Sequence, residues 1–61
     1  MYLIIEKTAW GFEARIRGKA NDDIAAGNAP TMATAIGALR FAVLGLPRDC
    51  RVKALALINN A

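Results

Sequence analysis

Residues 12–17, Phe12-Glu13-Ala14-Arg15-Ile16-Arg17, alternate apolar and charged without a break. That is the period-two signature of a strand with one face in a core and the other toward water. Residues 2–8, Tyr2-Leu3-Ile4-Ile5-Glu6-Lys7-Thr8, are rich in aromatic and β-branched types and too short for an uncapped helix, so they also predict a strand. Between the two lies Ala9-Trp10-Gly11, whose glycine can take the positive φ of a tight hairpin turn. A turn centred on Trp10 and Gly11 sets Glu6 opposite Arg15, Ile5 opposite Ile16 and Lys7 opposite Ala14, which brings opposite charges together. The core face would then carry Leu3, Ile5, Phe12, Ala14 and Ile16. The other face would carry Tyr2, Ile4, Glu6, Glu13, Arg15 and Arg17.

Residues 18–21 form a polar turn region, and residues 22–28 read either as a short third strand or as an irregular return. Asn28-Ala29-Pro30-Thr31 has helix-start chemistry, since Thr31 or Asn28 can accept from an orphan N–H and Pro30 cannot continue a strand interior. The helix is expected over residues 31–44 and stops at Gly45-Leu46-Pro47. On a helical wheel Met32, Ala35, Ile36, Leu39 and Val43 make one apolar stripe. The opposite side, where polar residues belong, holds Ala33, Gly37, Phe41 and Leu44, and Thr34 and Arg40 are the only polar side chains within the helix. A helix that is apolar all round is buried all round.

After a turn at Arg48-Asp49-Cys50, residues 51–58 again alternate. Val52, Ala54, Ala56 and Ile58 fall on one face of a final strand and Arg51, Lys53, Leu55 and Leu57 on the other. The tail from Asn59 is expected to fray. The pattern thus predicts one α+β domain over residues 1–61, an antiparallel sheet of three or four strands packed by one helix in the order β-β-(β)-α-β.

Composition adds a constraint on stability. A 61-residue domain buries only roughly 60% of the surface of its unfolded chain, and such domains usually add a disulfide, a metal or a second subunit. A single cysteine, Cys50, and the absence of histidine leave oligomerisation, expected as a homodimer. With 56% hydrophobic residues, some apolar surface must face a partner. Arg40 interrupts the longest apolar run, so no membrane span is expected. The amino terminus has its charges after its apolar residues, the reverse of a secretory signal, and together with the lone thiol this points to the cytoplasm.

Candidate chemistry is sparse. Glu6 and Glu13 lie on an exposed hairpin face and suit pairing with Arg15 and Lys7 better than catalysis. Asp22 and Asp23 are adjacent and point opposite ways on an extended chain, as turn or capping residues do. Cys50 has no histidine to activate it and reads as a plain, partly buried thiol. The glycines match neither a P-loop nor a dinucleotide fingerprint. The chain is therefore expected to be no enzyme, with no cofactor and no metal. The net charge of +3 is small. If the first and last strands share a sheet, however, Arg15, Arg17, Arg51 and Lys53 join Tyr2 on a basic sheet face that resembles a platform for single-stranded nucleic acid.

The stretch Tyr2-Leu3-Ile4-Ile5-Glu6-Lys7, then Gly11-Phe12-Glu13-Ala14-Arg15, then Ala26-Gly27-Asn28 before Thr31 and Ala35-Ile36, resembles the HicB-like antitoxin domain over residues 2–45. The resemblance implies a β-β-β-α-β domain like a partial ribonuclease-H fold, lacking its nuclease carboxylates, that blocks a small ribonuclease toxin by contact. The chain differs from that pattern by two extra residues between Gly27 and Thr31, by no following DNA-binding domain and by its positive charge. A phage-type anti-defence inhibitor of similar architecture fits the same length.

Two functions follow. One is a non-enzymatic protein-binding module that inhibits or regulates a partner. The other is a small nucleic-acid-binding protein using Tyr2, Arg15, Arg17, Arg51 and Lys53. For the first, the dimer or partner interface is expected at Ala33, Gly37, Arg40, Phe41 and Leu44, unless residues 18–30 fold over that helix face within one chain.

Overall fold

A computed structural model describes residues 1–60 of the chain. Three antiparallel strands, β1 (Tyr2–Thr8), β2 (Gly11–Arg17) and β3 (Asp23–Ala29), form a meander in the spatial order β1-β2-β3. Two helices follow, α1 (Met32–Val43) and α2 (Arg48–Asn59). The α+β class and three-stranded antiparallel sheet are as expected, and residues 22–28 resolve in favour of a strand.

The β1–β2 hairpin keeps its expected faces but not its register. Leu3 pairs with Ile16, Ile5 with Ala14, Glu6 with Glu13 and Thr8 with Gly11, so the strands are slid by two residues and the loop is Ala9-Trp10. Gly11 accounts for the shift. Its φ is +148°, and a Cβ there would sit 2.6 Å from the Cα of Pro30. It therefore serves as the first residue of β2 beneath the end of β3, not as a turn residue. Because side chains alternate with period two, a slip of two leaves each on its face. Glu6 and Arg15 still meet, as diagonal neighbours.

The β2–β3 turn is closed by Gly18 N–H donating to the Asp22 carbonyl at 2.9 Å, with Asn21 at φ +63°. A bulge follows at the start of β3, where the register shifts between Ile16 and Arg17.

α1 starts as expected. Thr31 is the N-cap, its Oγ1 accepting from Thr34 N–H at 3.2 Å while Thr34 Oγ1 accepts from Thr31 N–H at 3.3 Å, and Leu44 is the C-cap. Gly27, buried and opposite Ala14, lets the helix backbone come close to β3: a Cβ there would lie 2.7 Å from the carbonyl carbon of Ala38 and closer still to the Leu39 nitrogen. Of the expected core stripe, Ala35, Leu39 and Val43 are fully buried and Ile36 packs against them, while Met32 is 47% exposed.

The expected final strand over residues 51–58 is instead the second and third turns of α2, and Arg48-Asp49-Cys50 is its first turn rather than a separate turn. The sequence there is mostly Ala, Leu, Lys and Arg, all good helix formers, with only Val52 and Ile58 β-branched. Pro47, with its fixed φ of −54°, and Asp49 in the first turn suit a helix start. α2 therefore adds a second helix where a fourth strand was expected. Ala54 and Ile58, spaced i and i+4, enter the core, whereas Val52 and Ala56 do not. The core is small: Ala14 and Ile16 from the sheet, Ala35, Leu39 and Val43 from α1, and Ala54 and Ile58 from α2. Both helices thus lie on one side of the sheet.

Candidate protein-docking face

Gly27 seats the inner side of α1 on β3, so the helix turns its other side to solvent. That side carries Ala33, Gly37, Arg40, Phe41 and Leu44, all five exposed, with Phe41 at 78% and Leu44 at 55%. The structure brings together the five residues expected at an interface. Residues 23–29 are tied into the sheet, so the segment that was the intrachain alternative does not cover them. Arg40 is the one charge on this face, and its guanidinium donates to Asn59 Oδ1 on α2 at 3.3 Å. Leaving a Phe-sized side chain in water forgoes about 1.5–3 kcal/mol of burial free energy, and nothing in the described chain recovers it.

The basic sheet face is not assembled. Tyr2, Arg15 and Arg17 do share the open side of the sheet, but Arg51 and Lys53 lie on α2, because that segment is helical and does not join the sheet. The open side also gathers acids. Arg15, on the middle strand with its side chain only 17% exposed, bridges Glu6, Glu13 at 3.4 Å and Asp23 at 3.6 Å, and Arg17 Nε donates to Asp23 Oδ1 at 3.2 Å. Two arginines against three carboxylates leave no cationic surface for a phosphate backbone. The Tyr2 hydroxyl donates to Asn21 Oδ1 at 3.0 Å instead of standing free.

The hydrogen bond to Asp23, and next the Tyr2 hydroxyl, raise the Arg17 guanidinium above its ordinary pKa. The stability this contributes is fully present below the ordinary arginine pKa and lost only as pH rises through the raised one, so it adds no pH dependence near neutrality.

Cys50 is a free, half-buried thiol, as expected. It lines a groove of about 530 Å³ with Met1, Ile24, Lys53 and Leu57 at the end of the sheet. Among the described residues no three His, Cys, Asp or Glu side chains gather to hold a metal, and no helix is long and apolar enough to cross a membrane. Two exposed apolar residues were not singled out by sequence reasoning, Trp10 at 90% on the hairpin loop and Val52 at 60% on α2. The sequence pattern puts Trp10 in the hairpin turn and Val52 on one face of a final strand, so neither stands out there as exposed. No family model, curated protein or solved structure matches the chain.

Proposed function

We propose that this chain is a non-enzymatic protein-binding module that inhibits or regulates a partner protein, docking through the outer face of α1. The observation that carries this reading is Phe41, 78% exposed among Ala33, Gly37 and Leu44 on a helix whose opposite side is already buried in the core. Large aromatic anchors flanked by small residues dominate interface energetics because the small neighbours let the partner close around the ring. An antitoxin-like role is compatible with this surface. The first four elements run β-β-β-α, the order implied by a HicB-like antitoxin domain, whereas the closing helix is not part of that order.

The test compares tagged wild-type protein with Phe41→Glu as baits in lysate of the source organism. Phe41→Glu is expected to stay folded by circular dichroism, because the side chain leaves no core contact behind, and to lose its bound proteins, untagged copies of the chain included. Identical sets of bound proteins for both baits would overturn the reading. So would a wild-type bait that retains only nucleic acid, released steeply as salt rises.

A further inference from the structure

We propose that the groove between the β2–β3 turn and α2 binds a small amphipathic carboxylate, a molecule with a short apolar tail and one acid group. The groove has a volume of about 530 Å³, within the roughly 300–1,000 Å³ of small-molecule sites. Its floor is apolar. Met1, Ile24 and Leu57 line it, each half-buried and packed against the core, so the floor stands in place before a ligand arrives. Gly18 makes room for it, because a Cβ there would meet Ile24 Cδ1 at 2.8 Å. From Cys50 to Leu57 the groove follows α2 for about 10 Å at 1.5 Å of rise per residue, which accommodates a short straight acyl chain. The rim is polar, formed by the exposed Lys19, Asp49 and Lys53.

Charge selects the head group. Among the described residues every ion pair involves Arg15 or Arg17 on the open side of the sheet, so neither Lys19 nor Lys53 is held by a carboxylate. Asp49 precedes Lys53 by one turn of α2, the i, i+4 spacing at which acid and base attract. It offsets one of the two ammonium groups, and the rim keeps a single net positive charge. A monocarboxylate matches that charge. A phosphate dianion would face Asp49 with no guanidinium to hold it in a bidentate pair, and a cationic head would face two like charges. Lys19 comes from a closed turn, where Gly18 N–H donates to the Asp22 carbonyl at 2.9 Å and Asn21 N–H to the Gly18 carbonyl at 3.1 Å. Lys53 comes from the second turn of α2. The acid group thus sits between two ordered elements, with its tail along Ile24 and Leu57. The groove at the opposite end of the sheet, beside Trp10, has Glu13 and no base on its walls, so a carboxylate is repelled there.

Hexanoate is the probe, titrated into the isotope-labelled protein and followed by amide chemical shifts. It is expected to saturate in the millimolar range and to move the amides of Lys19, Ile24, Cys50, Lys53 and Leu57. Hexanol, with a similar tail and no charge, is expected to bind about fivefold more weakly, the upper limit of what one exposed ion pair contributes. Acetate, with the head and almost no tail, is expected not to bind. The double variant Lys19→Gln, Lys53→Gln changes only exposed side chains that are in no ion pair; it is expected to fold as the wild type and to bind hexanoate no better than hexanol. Ala56→Trp, at an exposed position on the groove wall, is expected to keep the circular dichroism spectrum and to lose both ligands. The Cys50 thiol gives a second readout in the unaltered protein, since it lines the groove and its alkylation by iodoacetamide should slow as hexanoate saturates. Hexanoate that fails to saturate, that binds the wild type no tighter than hexanol, or that leaves Cys50 alkylation unchanged would each overturn the proposal. So would shifts centred on Phe41, which would put the tail on the outer face of α1. Phe41→Glu is expected to bind hexanoate as the wild type does, so the groove and the protein-docking face stand or fall separately.

Discussion

α1 and α2 have the same length, twelve residues each, and lie on the same side of the sheet, yet they meet water differently. α2 sends Ala54 and Ile58 inward and puts Arg48, Asp49, Lys53 and Asn59 outside with a single exposed valine. Water is an adequate partner for such a surface. α1 sends Ala35, Leu39 and Val43 inward and puts Phe41, Leu44, Ala33 and Gly37 outside, with Arg40 the only charge on the helix. The difference shows where this small domain leaves apolar surface uncovered: on the helix that also anchors the core. A docking surface on α1 is backed by a rigid element, since Thr31 caps its start and Gly27 fixes its seat on β3.

The largest effect is expected where α1 anchors the core. Leu39 is fully buried, and Leu→Ala at such sites costs about 2–5 kcal/mol. At roughly 0.05–0.15 kcal/mol per residue, a chain of 61 residues holds only about 3–9 kcal/mol in total. Leu39→Ala is therefore expected to leave the protein largely unfolded at 37 °C, as seen in a circular dichroism melt. A cooperative transition at the wild-type temperature would mean that α1 does not carry the core, and would break the comparison at its base.

How legible the two helices were follows from their sequences. α1 could be read because several independent signals agree: the Thr31 cap, the stripe from Ala35 to Val43, and the stop at Gly45. Its outer face could be read for the same reason, since it needed only the spacing of Ala33, Gly37, Phe41 and Leu44. α2 could not be read from periodicity, because Ala54 and Ile58 are both two steps apart in a strand pattern and i, i+4 in a helix pattern, so one alternation satisfies both. Composition held the deciding signal in its Ala, Leu, Lys and Arg content and in Pro47. Placing residues 51–58 in the sheet also created the basic face, so Arg51 and Lys53 were misplaced by the same error. In the hairpin the faces were legible and the register was not. Period two fixes a residue's side but leaves slips of two degenerate, and only the close approach of Pro30 to Gly11, which is invisible in the sequence, breaks the tie. β3 stayed undecided because Ala25, Ala26, Gly27 and Ala29 alternate nothing. Gly27 is small because α1 lies close upon it, and Ala25 and Ala29 share its core side, while Ala26 is exposed on the open side opposite Arg15.

A smaller effect is expected at the helix starts. Thr31→Ala removes the side-chain half of the reciprocal cap on α1, the 3.2 Å bond that Thr31 Oγ1 accepts from Thr34 N–H, and keeps the backbone N–H that donates to Thr34 Oγ1 at 3.3 Å; losing such a cap costs about 0.5–2 kcal/mol. Urea unfolding should show that loss with an unchanged slope, and amide exchange at Thr34 should speed up. Pro47, at the same position on α2, makes no side-chain cap bond. Equal losses from Thr31→Ala and Pro47→Ala would mean that the capping box contributes nothing that distinguishes the two helices.

The smallest effect is expected at Val52, and it tests whether exposure alone makes a docking site. Val52 is 60% exposed, between Leu44 at 55% and Phe41 at 78%, but its neighbours on α2 are Arg48, Asp49, Lys53 and the small Ala56 rather than Ala33, Gly37 and Leu44. A lone apolar side chain among charges has no flat surround from which water can be expelled, so it anchors little. In Val52→Lys the lysine gains a favourable i, i+3 neighbour in Asp49 and an unfavourable i, i+4 neighbour in Arg48, terms of similar size that offset. Lysine also has the better helix propensity. Stability should therefore change by less than about 0.5 kcal/mol, and the sedimenting mass and bound proteins should match the wild type. If Val52→Lys instead abolishes association while Phe41→Glu leaves it intact, the docking surface lies on α2. The uncovered face of α1 would then be only the surplus apolar surface of a chain too small to bury it.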